Sequence, residues 1–565
     1  MKTINKVRIP VLLMALFLAA CSRDLLNEKP EHLATTSTVY SSYAGFQAGI
    51  NGLYNMVRAE RSGNSGYPGG LYSNLELRAE MYFNGTDNFC ANTSPSGFGQ
   101  ATRDWANRNN SLVGDYSLNF SWLYNIVNAA NTVISQAENR TDVNWTDGPG
   151  TVEENKNRVI AEAKAIRAHA YRHLTFLWGD VPLALEESKG SNIRTDWTRT
   201  PVNEVRAQMK SDWLFAEQYL GIEPADPGKI TRGAVEHYLA ELYLVQNKPD
   251  SALYWANKCI NTPNYKLITE RFGVRASEPG VPFADMFYDG NALRTQGNTE
   301  SLWSFEFAYQ ITGGEHSVMR RVAHNSYELM TVGGVRPLQL TLERGGRGVS
   351  KITITRYALD VYEPQDDRFS NYVIRKYFIL NDASQNTPNI ADILPPGYHY
   401  GDTIKLNLDQ DITPANSGAV YDWPFMRKFE STLPNNPSNS GQYNDQVYLR
   451  LADTYLLKAE ALYKLGDLEG AAETINILRT RSNASLIDAS QVNMDFILDE
   501  RSRELIFEEQ RRYTLLRTGK WLERVRKYNK NGGQTAAARD TLLPIPQVVI
   551  DANLTATMPQ TPGYD

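Results

Sequence analysis

A chain of 565 residues with 42% apolar residues, 39 Gly and 26 Pro can bury a large core, and its composition excludes disordered and collagen-like architectures. Its 58 basic against 64 acidic residues leave a formal charge of −6, and no long basic run offers a footprint for a phosphate backbone, so nucleic acid is not an expected partner. The 31 Tyr, 19 Phe and 10 Trp exceed the needs of a purely helical core and point to a wet recognition surface, because Tyr and Trp join a stacking face to a polar handle.

The chain opens with Lys2, Lys6 and Arg8 and then an apolar run, Ile9 to Ala20, too short to span a bilayer. This reads as a secretory signal over residues 1–20. It ends in Leu18-Ala19-Ala20-Cys21, which resembles a bacterial lipobox, so Cys21 is the expected lipidation site and residues 21–40 a tether. No later segment approaches the length of an apolar transmembrane helix, leaving the lipid as the expected membrane attachment. Cys90 and Cys259 are too few and too far apart for a disulfide framework or a metal cluster and read as buried small hydrophobes.

Helical patterning dominates 41–264 and 446–565. Glu153 to Trp178 carries Ile160, Ala163, Ile166, Ala170, Leu174 and Leu177 at three- and four-residue steps and stops at Gly179 and Pro182. Arg232 to Ile260 and Leu449 to Arg481 both read as helix-turn-helix units of the tetratricopeptide kind, with small Ala where helices approach. One such unit cannot bury its apolar face alone, so these two must stack with other pairs across a long gap in sequence. Between them, residues 265–445 change to Gly-Gly pairs, Pro-rich turns and short alternating runs such as Lys351 to Thr355, expected as small strands, a hairpin and long loops. A second loop-rich, aromatic stretch runs from Gly63 to Trp105.

Several motifs bear on chemistry. Glu500, Glu504, Glu508 and Glu509 alternate with Arg501, Arg503, Arg511 and Arg512 at helical spacing, which reads as ion-pair lacing of a helix surface, Glu508 with Arg512 for instance. Neighbouring Arg would lower those carboxyl pKa values, the wrong direction for a general acid. His169 and His173 lie four apart on one helix face, but without an HExxH glutamate or an apparent third ligand they read as packing. GxSxG, P-loop and GxGxxG patterns are absent. No catalytic residue, metal or cofactor is expected.

AEAKAIRAHAYRHLTFLWGDVPL (Ala161 to Leu183) resembles the signature helix of the SusD/RagB family of surface lipoproteins. RLADTYLLKAEAL (Arg450 to Leu462), INILRTR (Ile475 to Arg481), DERSRELIFEEQRRYTLLRTGKW (Asp499 to Trp521), LLPIPQ (Leu542 to Gln547) and QTPGY (Gln560 to Tyr564) follow in the family's order, and WLYNIVNAAN (Trp122 to Asn131) and DVYEPQDDRF (Asp360 to Phe369) also match. Thr514 departs from the usual Asp, an exchange expected to cost a local helix contact.

The resemblance implies a mostly α fold: a tetratricopeptide-like scaffold with a loop-rich insertion carrying a few short strands. It further implies a cell-surface, outer-membrane lipoprotein that captures an oligosaccharide and passes it to a SusC-like TonB-dependent transporter, without being an enzyme. A protein-binding adaptor and a surface glycosidase are the alternatives. A pyranose offers an apolar face to a flat ring and hydroxyls to Asn, Asp, Arg or Gln. Tyr67, Tyr72, Tyr82, Asp87, Asn88 and Trp105 supply that mix, as does Tyr309 beyond the strand-like SLWSFEF. Trp122, Trp178, Trp255 and Trp303 read as core.

Overall fold

The computed structural model describes residues 36–62, 78–92, 97–190, 192–383, 390–418 and 420–564. Cys21, the signal and most of the tether, Tyr67 and Tyr72 therefore lie outside the described residues. Helices of seven residues or more are α1 (Tyr43–Arg58), α2 (Gly97–Arg103), α3 (Gly114–Asn139), α4 (Val152–Trp178), α5 (Val202–Tyr219), α6 (Arg232–Val245), α7 (Pro249–Ile260), α8 (Leu451–Leu465), α9 (Leu468–Arg481), α10 (Met494–Leu505), α11 (Arg511–Arg517) and α12 (Trp521–Tyr528). Helices α3 to α7 pack each on the next, and the stack then continues from α7 onto α8 and from α8 onto α9 and α10, although α7 and α8 are far apart in sequence. This is the cross-gap stacking that two isolated helix-turn-helix units require.

Helix α4 is the axis of the stack. Thr151 caps it, its Oγ accepting from the Glu154 N–H at 3.2 Å while Glu154 accepts from the Thr151 N–H at 2.8 Å, and Gly179 ends it at φ 71°. All six stripe residues are buried, but so are Arg167, His169, Arg172 and His173, because helices pack on several sides of it. The polar groups that this burial desolvates are paired. Arg167 takes both oxygens of Asp212 on α5, at 2.9 and 2.7 Å, and Arg172 takes Glu241 on α6. Bidentate pairs of this kind fix register between helices, and losing one partner costs about 3–5 kcal/mol.

The described strands are short and pair antiparallel, two by two: β1 (Phe89–Ala91) with β3 (Ile352–Ile354), β2 (Ser301–Phe305) with β8 (Gln446–Arg450), β4 (Ile374–Arg375) with β7 (Phe425–Met426), and β5 (Tyr377–Ile379) with β6 (Thr403–Lys405). Lys351 to Thr355 thus supplies a strand, but its partner is the remote β1 rather than a hairpin neighbour. Trp303 sits in β2 and is buried, as are Trp122, Trp178, Trp255, Cys90 and Cys259. No helix among the described residues is long and apolar enough to cross a membrane.

Candidate functional site

The stretch expected to present Asp87, Asn88 and Trp105 to ligand is instead part of the interior, and those three assignments are corrected. Asp87 and Asn88 are fully buried, as is Trp105, and Tyr82 is 2% exposed. Asp87 accepts from Nε and Nη2 of Arg511 at 2.8 and 2.7 Å and from Nε of Arg524 at 2.8 Å. Ser502 donates to the Asn88 amide oxygen at 2.8 Å, and Asn529 donates to the carbonyls of Thr86 and Phe89. Trp105 meets Trp521 edge-on at 5.4 Å, and the Arg512 guanidinium lies over both rings. Short polar residues that read as a surface loop are here the lining that holds C-terminal arginines inside the fold.

The glutamate-arginine run is likewise interior rather than surface lacing. Glu508 pairs with Arg450 and Lys428, not with Arg512. Glu504 joins Arg368 at 3.0 Å and Arg450 at 2.9 Å, and Glu500 joins Arg368 and Arg479, both at 2.8 Å. Burial opposes ionisation of Glu500, but Arg368, Arg503 and Arg479 outweigh it and hold the carboxyl at about 2. Such groups stay ionised and paired, which suits a structural lattice and not proton transfer. Thr514 donates to Glu509 at 2.9 Å, so the position keeps a polar partner.

Tyr309 is different. It is 48% exposed, on a tight turn that follows β2, with Ile311 also exposed. The turn is built by constraint. The Ala308 N–H donates to the Gly314 carbonyl at 3.0 Å, Gln310 and Glu315 adopt φ 57° and 51°, and a Cβ on Gly314 would lie 2.4 Å from the Ala308 oxygen. Arg58, at the end of α1, donates to the Glu306 carbonyl at 2.7 Å and also to the Gly313 carbonyl, clamping both ends of the turn. Tyr443 stands edge-on to Tyr309 at 4.8 Å, and His316 lies 6.1 Å from Tyr443. Reciprocal backbone bonds between Ser317 and Gln442, both 2.9 Å, fix that second aromatic beside the first.

Two carboxyls lie at the foot of the turn: Glu306 precedes it, and Asp445 accepts from the Phe307 N–H at 3.3 Å. Burial, then the nearby Asp445 carboxylate, push Glu306 up to about 7 against the pull of Arg58. Burial pushes Asp445 up to about 6, although the Phe307 N–H stabilises its anion. Both are half-buried and titrate near neutrality, so they can accept hydroxyl hydrogen bonds as anions or donate as acids. Ser62 donates to the His316 carbonyl at 2.8 Å, which ties the end of the first described segment to this corner. Tyr443, His316, Glu306, Asp445 and Arg58 were not singled out from sequence. Only Tyr443 carried a signal, as an aromatic in a Gly- and Asn-rich run before β8.

A concavity of about 460 Å³ lies between α3, the loop that includes Pro182 and Trp197, and the C-terminal residues 548–558. Phe120, Tyr124, Val127, Trp197 and Met558 make it mostly apolar, and the Arg194 guanidinium covers the Trp197 ring at 4.1 Å. It suits apolar side chains better than a polyhydroxylated ring.

The stacked helical pairs and the strand-tied loop region are the fold of a SusD-type protein. The chain belongs to the SusD/RagB family: the SusD family model matches residues 296–564, and a model described as "Starch-binding associating with outer membrane" matches residues 31–244. It is 27% identical over 601 residues to SusD-like protein P2 of Formosa agariphila, covering 99% of this chain and all of the relative. Among solved structures, a SusD homologue from Bacteroides thetaiotaomicron superposes with a TM-score of 0.69 at 17% identity, covering 94% of this chain and 98% of the other. Surface glycan-binding protein A from the same species, in complex with laminarihexaose, superposes at 0.65 with 17% identity, covering 92% and 99%.

Proposed function

We propose that this chain is a cell-surface glycan-binding lipoprotein of the outer membrane, anchored through Cys21, that captures an oligosaccharide and passes it to a SusC-like TonB-dependent transporter. The observation that carries the reading is the Tyr309 corner: an exposed ring on a clamped turn, a second aromatic at an angle to it, and titratable carboxyls at the foot of the turn. A pyranose packs its C–H face on such a ring while its hydroxyls meet the carboxylates. The laminarihexaose complex of a protein with this fold and the outer-membrane description of the matching family model support it, as do the lipobox residues Leu18 to Cys21. Tyr67 and Tyr72, outside the described residues, are proposed as further glycan contacts.

The test is titration calorimetry of the soluble body with glucan and other oligosaccharides, beginning with laminarihexaose. Tyr309→Ala should weaken binding by about 1–3 kcal/mol, the loss of a well-placed aromatic anchor, with the melting temperature unchanged because the ring is exposed. Undiminished affinity would remove the site. A surface glycosidase remains a second reading because Glu306 and Asp445 both have raised pKa values. Release of reducing ends that Glu306→Gln abolishes would establish it, whereas binding without turnover supports capture alone.

A further inference from the structure

The histidine pair on α4 acquires in the fold the third ligand that its sequence lacks. Glu60, two residues beyond α1, is 1% exposed and lies against His169 and His173, each also 1% exposed. The two Nε2 atoms face one another at 3.1 Å, and Glu60 Oε2 lies 3.6 Å from that of His173 and 4.0 Å from that of His169. A point equidistant from three atoms so spaced is about 2.1 Å from each, a zinc–imidazole bond length.

The surroundings are those of ligands held in place. Tyr513 Oη is 2.8 Å from His173 Nδ1, which directs that ring's Nε2 toward the triangle, and Tyr448 donates to Glu60 Oε2 at 2.9 Å while accepting from Gln510 at 3.2 Å. The Tyr82 hydroxyl, buried beside Glu60, has no hydrogen-bond partner of normal geometry. Without a cation, two facing ring nitrogens must share one proton beside a desolvated carboxyl.

We infer that Glu60, His169 and His173 form a structural site for a divalent late transition metal of the zinc class, which ties the end of α1 to the central helix α4. Two imidazoles and one carboxylate are a borderline donor set that favours such ions over calcium or magnesium. The site is closed to solvent, so the ion enters as the chain folds and holds structure rather than activating water.

The test uses the full soluble chain without a polyhistidine tag, unfolded in guanidinium with a chelator, freed of metal, and refolded with Zn²⁺ or in metal-free buffer. One zinc per chain should survive gel filtration, the zinc-refolded protein should melt higher, and Co²⁺ should give the visible bands of a nitrogen- and oxygen-ligated low-coordinate ion. Glu60→Gln and His173→Gln should each lose the metal. Should those variants not fold, the cobalt spectrum and metal content of the wild type decide alone. Retention below about a tenth of an equivalent with unchanged melting would show a hydrogen-bonded cluster only, and zinc retained by folded variants would place the ion elsewhere; either result overturns the inference.

Discussion

Asp87→Asn separates an interior role from a ligand-binding one. The carboxylate holds two guanidiniums, those of Arg511 and Arg524, through three contacts of 2.7–2.8 Å, with all three side chains no more than 1% exposed. Asparagine keeps the volume but removes the charge and turns an NH₂ group toward a guanidinium. Breaking a buried pair in this way costs about 3–5 kcal/mol. Arg511 keeps Glu509 at 2.9 Å, and Arg524 keeps Asp495 at 2.8 Å and Asp499 at 2.6 Å, which places the expected loss near the lower end, about 3 kcal/mol.

Burial alone would raise the Asp87 pKa, but Arg511 and then Arg524 outweigh it and hold it below the usual range. Its stabilisation is therefore fully present above the unfolded value of about 4 and is lost as pH falls through the depressed folded value. Denaturant unfolding of both proteins from pH 7 down to pH 3 should show a gap that is constant above pH 4 and narrows below it. Folded Asp87→Asn should bind glycan as the wild type does. A gap under about 1 kcal/mol at pH 7, with binding lost in folded protein, would refute the burial argument and put Asp87 on the ligand.

Trp105→Ala should cost about 3–5 kcal/mol of stability in denaturant unfolding and leave glycan affinity intact at low temperature, since the ring is wholly enclosed; loss of binding at unchanged stability would contradict this. Glycan affinity should rise from pH 5 to pH 8 as Asp445 and then Glu306, near 6 and 7, become the better acceptors, and Glu306→Gln should flatten the upper part of that calorimetric profile. Cys90 should resist thiol reagents in the folded protein, because burial pushes its thiol up to about 12, and react once guanidinium is added.

The helical stack was legible wherever local signals agreed. For α4, the apolar spacing and Gly179 located the helix, and α8 and α9 follow the helix-turn-helix pattern of Leu449 to Arg481, with Gly466 at φ 85° between them. What sequence could not show was who partners whom over hundreds of residues. Asp87, Asn88 and Trp105 have loop-like neighbours in sequence, and only the C-terminal segment containing Arg511, Arg524 and Trp521 makes them interior. Glu500, Glu504 and Glu508 have helical spacing to nearby Arg, yet their principal partners include Arg368 and Arg450 from elsewhere. Tyr309 was accessible to sequence reasoning because it follows a strand pattern, whereas the aromatic that meets it, Tyr443, comes from the far end of the same excursion.

The β2–β8 pairing sets the terms on which that excursion can change. Phe305 lies opposite Gln446, so residues 306–445 leave and re-enter the stack through a doorway one strand spacing wide. The entropy of closing such a loop grows only with the logarithm of its length, so insertions and deletions far from the doorway are inexpensive for the helices that support it. Positions tied back to the scaffold are exempt: β3 pairs with β1, and Arg368 and Lys428 reach Glu504 and Glu508 and neutralise charge inside the scaffold. A lineage could therefore exchange the parts of this segment that lie away from these ties for another recognition surface, provided that each replacement kept the strand against β1 and returned two cations to the same acidic seats.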